Sequence, residues 1–467
     1  MIEESLPVNW FYKNNMDNSD GGININDRFK QEQKYLISES EEKSVGQSTV
    51  WAKRLKAFPA LENKNYRIYF FGQLISVTGT WLQIVAEGWL VLQLTNSAFL
   101  IGLVAALATT PALLFSLFGG VIVDRFPKKK ILFITQSCAM FFALLLGTLV
   151  LLNLVTVPII CIIAFLLGTV NSVDAPARQA FVSELVTKDE LASAIALNSG
   201  IFNAGRVIGP GIAGFLIAIV GTGGAYIANG VSYIAIIIAL FFLKIKEKEP
   251  VRNLKPLEAI KEGIKYSASH PVIRVLLLFT AIVSIFGWSY TTIMPVIAKN
   301  KFHVEAKGLG YLYSTTGLGS LLATYLVGAY SKKISSAWFI IGGNTLFCLS
   351  LILFSNSNTL HLALILLFFT GLGLLMQSSM MNTIIQGMVK NEYRGRVMSM
   401  YILMFMGLAP VGNFEIGWLT EHYGITWAIT INASIVLIFD ILLLFHRKNI
   451  REAYRNYKNL NEKDILV

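Results

Sequence analysis

The sequence predicts an all-α integral membrane protein, with twelve transmembrane helices arranged as two parallel six-helix repeats. Three observations carry that expectation. Of 467 residues, 54% are hydrophobic and 14% charged, against about a quarter charged in soluble domains, so there is too little polar surface to coat a water-facing globule. The apolar residues run in blocks near the roughly 20 residues that cross a bilayer's hydrocarbon core. Lysine and arginine gather in alternate connections between those blocks, as they do in a chain threaded repeatedly through a membrane.

Residues 1–50 hold nine acidic and five basic residues, a local net of −4 within a chain of formal charge +11. No basic stretch there leads into an apolar run, so the segment is not a signal peptide and reads as a disordered acidic tail on the cytoplasmic side. Residues 51–68 interleave Lys53, Arg54, Lys56, Lys64 and Arg67 with Trp51, Leu55, Phe58 and Leu61, the pattern of an amphipathic segment on the membrane surface. An N-terminal bundle follows over 69–243, with spans near 69–94, 99–122, 130–152, 157–178, 192–220 and 223–243. A charged central loop, 244–271, contains Pro250 and Pro256. The C-terminal bundle, 272–446, has spans near 272–298, 308–330, 336–355, 359–381, 397–420 and 425–446, and 447–467 is a basic tail.

On one side the connections at Thr95-Asn96-Ser97, 152–156, 221–223, 356–358 and 421–424 lack Lys and Arg, with Lys299, Lys301 and Lys307 as exceptions. The other side carries Arg125, Lys128, Lys129, Lys130, Lys188, Lys332, Lys333, Lys390, Arg394 and Arg396, which places both termini in the cytoplasm. The positive charge is thus topology, and nucleic-acid binding is not expected. Three cysteines without CxxC spacing and five scattered histidines predict neither disulfides nor a metal or cofactor site.

The two halves align. At a shift of 203 residues Gly168, Phe202, Gly209, Gly214, Gly221 and Asn229 fall on Gly371, Phe405, Gly412, Gly417, Gly424 and Asn432, and at 208 Gly102 and Gly120 fall on Gly310 and Gly328. Two parallel repeats are the architecture of an alternating-access carrier with its site at the midplane between them.

Between spans 2 and 3, Gly120, Asp124, Arg125, Lys128 and Lys129 fit G-x-x-x-D-R/K-x-x-R/K-R/K. This resembles the loop signature of the major facilitator superfamily, and the resemblance covers roughly residues 60–446. It implies an inner gate in which Asp124 faces the N-terminus of span 11 near Gly395 and Arg396, while Arg125 or a following lysine reaches Asp174. The alternative is that the basic cluster only fixes topology. In span 5, Gly205, Gly209, Pro210 and Gly214 resemble the family's antiporter motif, with Ala213 in place of one glycine and Ala196 in place of the upstream one. That likeness favours export, although small residues also serve close helix packing. Ala164 stands where many proton-coupled members carry arginine. Asn171-Ser172-Val173-Asp174-Ala175-Pro176, Asn65-Tyr66-Arg67 and Arg394-Gly395-Arg396-Val397 resemble the subgroup of siderophore (enterobactin) exporters, macrolide efflux proteins and transmembrane secretion effectors.

Ionisable residues inside spans are costly and mark function. Glu87 shares a helix side with Gln73 and Gln83, since separations of 14 and 4 residues rotate by about 320° and 40°. Desolvation destabilises its charged form, which suits it to take and release protons. Glu87 is therefore the expected coupling acid, with Arg206 and Glu415 as further members; a static Glu87–Arg206 ion pair is the alternative. Asp440 is expected near the cytoplasmic face in contact with solvent. Met376, Gln377 and Met380 of span 10, with Gln73, Gln83, Trp288 and Tyr290, are the expected wall of the substrate cavity, because thioethers adapt to irregular apolar ligands.

The expected activity is secondary active transport: proton-driven export of an amphipathic organic compound, a siderophore or hydrophobic drug, across the bacterial inner membrane by a monomer. A lysophospholipid flippase of the same fold and a non-transporting receptor or scaffold are the alternatives. An enzyme is not expected, since no nucleophile and base stand at recognisable spacing and no phosphate-binding loop is present.

Overall fold

The computed structural model describes residues 58–243, 256–331, 333–389 and 391–445, and among them the only regular structure is helical. The chain divides into two compact units at Glu62. The described part of the first is a 3-10 turn, Pro59–Leu61. The second, from Asn63, contains the spans. The expected tail 1–50, the surface segment to residue 57, the loop stretch 244–255, Lys332, Lys390 and the tail from 446 lie outside the described residues.

Helix α1, Lys64–Thr95, starts where Asn63 Oδ1 accepts from the N–H groups of Asn65 (3.0 Å) and Tyr66 (3.3 Å). It ends at Asn96, whose φ of 52° cannot continue a right-handed helix. The surface segment expected over 51–68 therefore stops at the cap, and Lys64 and Arg67 belong to the first span's helix. Next come α2 (Ala98–Arg125), capped by Ser97 Oγ, α3 (Lys128–Leu151) and α4 (Val157–Leu185). Helix α5, Leu191–Phe242, runs 52 residues and doubles back at Gly221, with φ 71° and ψ 178°, a conformation that a side chain would strain. The expected central loop contains a 14-residue helix, α6 (Pro256–Ser269). The seventh span, Pro271–Lys301, begins as α7 (Pro271–Ile282) and then changes winding through a π turn at Val283–Gly287 and a 3-10 turn at Trp288–Thr291. Helices α8 (Ala306–Tyr330), α9 (Gly343–Asn356), α10 (Leu360–Met388), α11 (Asn391–Ile402) and α12 (Ala409–Phe445) complete the second half, α12 doubling back at Gly424, φ 83°.

Nine segments among the described residues are long and apolar enough to cross a membrane. Two of them, of 52 and 53 residues, are the pairs that reverse at Gly221 and Gly424, and α8, rich in Gly, Ser, Thr and Tyr, is not among the nine. Large side chains such as Phe118, Phe215 and Phe241 are more than half exposed. That is unfavourable in water and ordinary against lipid.

Packing repeats with the sequence. A Cβ on Gly168 would strike the carbonyl of Ala108, and one on Gly371 the carbonyl of Thr316; the shifts of 203 and 208 carry the first contact onto the second. The halves meet at the end that carries Asn96 and Gly221. There a Cβ on Gly102 would lie 2.5 Å from the Asn413 carbonyl oxygen and 2.8 Å from Gly417 Cα, and one on Gly214 would lie 2.8 Å from Gly310 Cα. Gly102 matches Gly310 and Gly214 matches Gly417, so one approach is the repeat image of the other.

Candidate functional site

Opposite the glycine contacts, the halves separate around a cavity of about 1710 Å³ lined by both of them. Asn171, Ala175, Gln179 and Ser399 are exposed and line it at the end bearing Asp124 and Arg396, so it opens at the basic end. The far end is closed. Glu421 Oε2 accepts from the N–H groups of Ala98 (2.7 Å) and Phe99 (3.1 Å) and from Ser97 Oγ (3.1 Å), placing a carboxylate on the N-terminus of α2. Asn413 Nδ2 donates to the Ala105 carbonyl at 3.3 Å and Lys299 Nζ to Asn96 Oδ1 at 3.2 Å, both across the halves.

Glu87, Gln83, Arg206, Trp288 and Tyr290 all line the cavity. Glu87 makes no hydrogen bond or ion pair among the described residues. The static pair with Arg206 is therefore absent: α1 and α5 bring both side chains to the cavity without bringing their charges within 4 Å. Gly88, next to Glu87, lies against Pro295 of the other half. Gln83 Oε1 accepts from Asn229 Nδ2, and Asn432 Nδ2 reaches Ser289 Oγ at 3.5 Å, the corresponding pairing in the second half.

Several expected wall residues lie elsewhere. Gln73 is buried at 1% exposure in the stretch of α1 where Gly72 packs on Ala239. Its angular position matches Glu87, but at its height that side meets helix rather than cavity. Met376, Gln377 and Met380 are buried inside the second half, because Gly373 and Gly343 draw α10 onto the ninth span and turn these residues into that seam. Leu374, Met400 and Met406 line the cavity in their place. Glu415 faces Asn432, which donates to it at 2.9 Å, and does not line the cavity. Asp440, expected in solvent, is 1% exposed and accepts from Thr345 Oγ1 at 2.8 Å, since α12 continues beyond it to Phe445.

The inner-gate residues are also rearranged. Gly120 and Asp124 line the basic mouth, and Asp124 has no hydrogen bond or ion pair with Gly395 or Arg396. Arg396 instead pairs with Glu262 of α6. Arg125 is exposed; Lys128 pairs with Glu184 at 3.4 Å, and Lys129 Nζ donates to the Leu243 carbonyl at 2.7 Å, at the C-terminus of α5. Among the described residues neither Arg125 nor a lysine reaches Asp174. Its partner comes from its own helix, four residues on: Arg178 binds Asp174 Oδ2 through Nε and Nη2. The other oxygen accepts from Thr135 Oγ1 (2.6 Å) and Gln136 Nε2 (2.7 Å). With Asp174 at 2% and Arg178 at 8% exposure, this is a satisfied buried pair. Asp174→Asn is expected to lower stability by about 3–5 kcal/mol, because it leaves Arg178 buried without its counter-charge. Thermal unfolding in detergent measures this, and an unchanged transition would show that the pair holds nothing together.

In the span-5 motif, Gly205 and Gly209 accommodate Trp81 of α1, Pro210 lines the cavity and Gly214 meets Gly310. The motif thus joins packing within one half to packing between halves. The sequence reading missed Trp81, Asn413 and Glu421. Glu421 follows a span in a short connection, and nothing local marks it as the partner of a helix N-terminus 324 residues away.

The model of the transmembrane secretion effector family matches residues 55–464. The chain belongs to that family. It is similar to the staphyloferrin A transporter of Staphylococcus aureus, 27% identical over 82% of this chain and 96% of that protein. The enterobactin exporter EntS of Escherichia coli O1:K1 is 22% identical over 84% of this chain and 92% of its own length. An inward-facing, unoccupied structure of a bacterial homologue of the human lysosomal transporter Spinster superposes with a TM-score of 0.66 at 12% identity, over 85% of this chain and 98% of that one. That likeness establishes the shared major facilitator fold. This family member is accordingly a multi-pass membrane protein and a secondary transporter of a small molecule, not an enzyme.

Proposed function

We propose that the chain exports an amphipathic organic compound from the cytoplasm of a bacterium across its inner membrane by alternating access, in exchange for protons, with Glu87 as the coupling group. The observation that carries this reading is an acid with no hydrogen bond or ion pair among the described residues, in a cavity shared by both halves, beside the Gly88–Pro295 contact between them. A group at that place can answer proton occupancy with a change in how the halves meet. With the basic end in the cytoplasm, the cavity opens inward and the glycine contacts close the outside. Its wall is mostly apolar but includes Gln83, Asn171, Asn203 and Arg206, a mixture that suits an amphipathic compound such as the siderophores the two relatives are named for, or a hydrophobic drug with a polar group.

Inverted membrane vesicles with an acidified lumen are expected to take up such a compound, a labelled siderophore or lipophilic drug, against its gradient and to lose it on adding a protonophore. Uptake indifferent to the protonophore would remove proton coupling. In the same vesicles Lys129→Cys and Asn96→Cys should label from opposite faces; labelling from one face would overturn the orientation.

A further inference from the structure

Arg206 lines the cavity, and among the described residues no acid neutralises it. Its guanidinium remains charged at any physiological pH and has five N–H donors in a planar fork. Among the described residues one hydrogen bond uses them, a long one of 3.4 Å from Nη2 to Asn203 Oδ1. The carboxylates that share the cavity, Glu87, Asp124 and Glu262, all lie beyond ion-pair distance. Arg178 differs: it is buried and bound by Asp174 through Nε and Nη2.

The surroundings of Arg206 resemble a binding wall rather than a packing defect. Asn198, Asn203 and Arg206 recur along one side of α5, and each lines the cavity. The Asn198 amide oxygen is buried without a hydrogen-bond partner. From the other half Trp288 meets the guanidinium in a cation–π contact, 5.5 Å from Cζ to the ring centre, and its ring meets Phe405 edge-on at 5.5 Å. Beside them the buried Tyr290 hydroxyl has no hydrogen bond of normal geometry. Cationic and amide groups come from the first half and aromatic surface from the second.

We infer that Arg206 is the substrate's anion-recognition residue, and that the transported compound carries a carboxylate, held by the guanidinium fork while its apolar body lies on Trp288 and Phe405. This rests on the exporter reading and narrows it to organic anions. A carboxylate matches the fork with two parallel charge-assisted hydrogen bonds, in a setting where competing water is limited by the apolar walls. Because the two parts of such a ligand touch different halves, its binding also links them.

The test uses the full-length protein in lipid nanodiscs, without a gradient, and two fluorescent probes of nearly equal size: dansylglycine, an aryl carboxylate, and dansylglycinamide, its neutral analogue. Binding is read against empty nanodiscs. The wild type is expected to bind the carboxylate at least tenfold more tightly than the amide. Arg206→Gln should reduce that preference to less than twofold, chiefly by weakening the carboxylate's binding, and its monodisperse elution on gel filtration reports that the variant is folded. Arg206→Lys, which keeps the charge and loses the fork, should retain an intermediate preference and covers the case in which the glutamine variant does not fold. Equal binding of the two probes by the wild type, or an undiminished preference in either variant, overturns the anion site and leaves proton-driven export standing. Failure of gradient-driven uptake in vesicles would instead defeat the exporter reading, and this resting measurement would be unaffected.

Discussion

Glu87→Gln is expected to abolish uphill transport while leaving the carrier able to bind and exchange substrate. Glutamine has nearly the volume of the acid and imitates its neutral form, so the packing of Gly88 on Pro295 and the Gln83–Asn229 hydrogen bond one turn away are preserved. What is lost is the alternation between charged and neutral states that ties a conformational cycle to a proton. With the membrane potential clamped at zero, exchange of one proton per substrate concentrates it about tenfold for each pH unit, equivalent to about 1.4 kcal/mol. With a two-unit gradient the variant should therefore fall from about a hundredfold accumulation to none. Counterflow of labelled against unlabelled substrate, which requires no net proton movement, should persist. Retained accumulation in the variant would move the coupling role to another acid of the cavity. Asp124 is then next, because Glu415 faces Asn432 outside the cavity.

Adding one methyl group at the closed end should have an effect of comparable size by a different route. In Gly102→Ala the new Cβ would lie 2.5 Å from the Asn413 carbonyl oxygen and 2.8 Å from Gly417 Cα, and in Gly214→Ala 2.8 Å from Gly310 Cα. These neighbours are backbone atoms, which cannot rotate away as a side chain would. Overpacking of this kind costs roughly 1–3 kcal/mol. The cost falls only on the state in which the halves touch at that end, so the balance shifts by about five- to 150-fold towards the opposite opening, at about tenfold per 1.4 kcal/mol. Each half stays packed as before. Transport should slow by about tenfold or more, and a cysteine at Thr109, a cavity position, should become reactive from the side of Asn96. Unchanged reactivity with normal transport would show that the glycine contacts do not govern closure. Glu421→Gln loosens the same end through the α2 N-terminus, where a charge is typically worth about 0.3–1 kcal/mol, so its shift should be smaller.

These predictions draw unequally on sequence and structure. The spans, their order and the glycine reversals were readable because hydropathy and backbone permissiveness are local: a 20-residue apolar run and a Gly221 or Gly424 state their case without distant partners. The repeat was readable for a related reason. Glycines that let helices touch recur at constant spacing, and the structure uses the same positions for Gly168 on Ala108 and Gly371 on Thr316. Candidates for the site were visible as residue types. Glu87, Arg206, Trp288 and Tyr290 stand out as charged or amphipathic groups inside spans, and all four line the cavity.

Which groups face one another was decided by tertiary packing. Gln73 shares Glu87's side of the helix but meets Ala239's helix at its own height, and the methionines of span 10 turn into the ninth span because two glycines draw the helices together there. Asp174 takes a partner four residues away rather than from the basic loop, and Arg396 takes Glu262 from a helix the composition marked only as charged connection. By itself the sequence determined an all-helical membrane carrier of two repeats and the short set of ionisable residues worth suspecting. Tertiary structure decided that Glu87 and Arg206 stand apart without pairing, and that Glu421 closes the end opposite the cavity mouth. Periodicity specifies the angle of a side chain about its own axis, while pairing depends on the height and approach of a second helix, set by side-chain volumes summed over the whole contact.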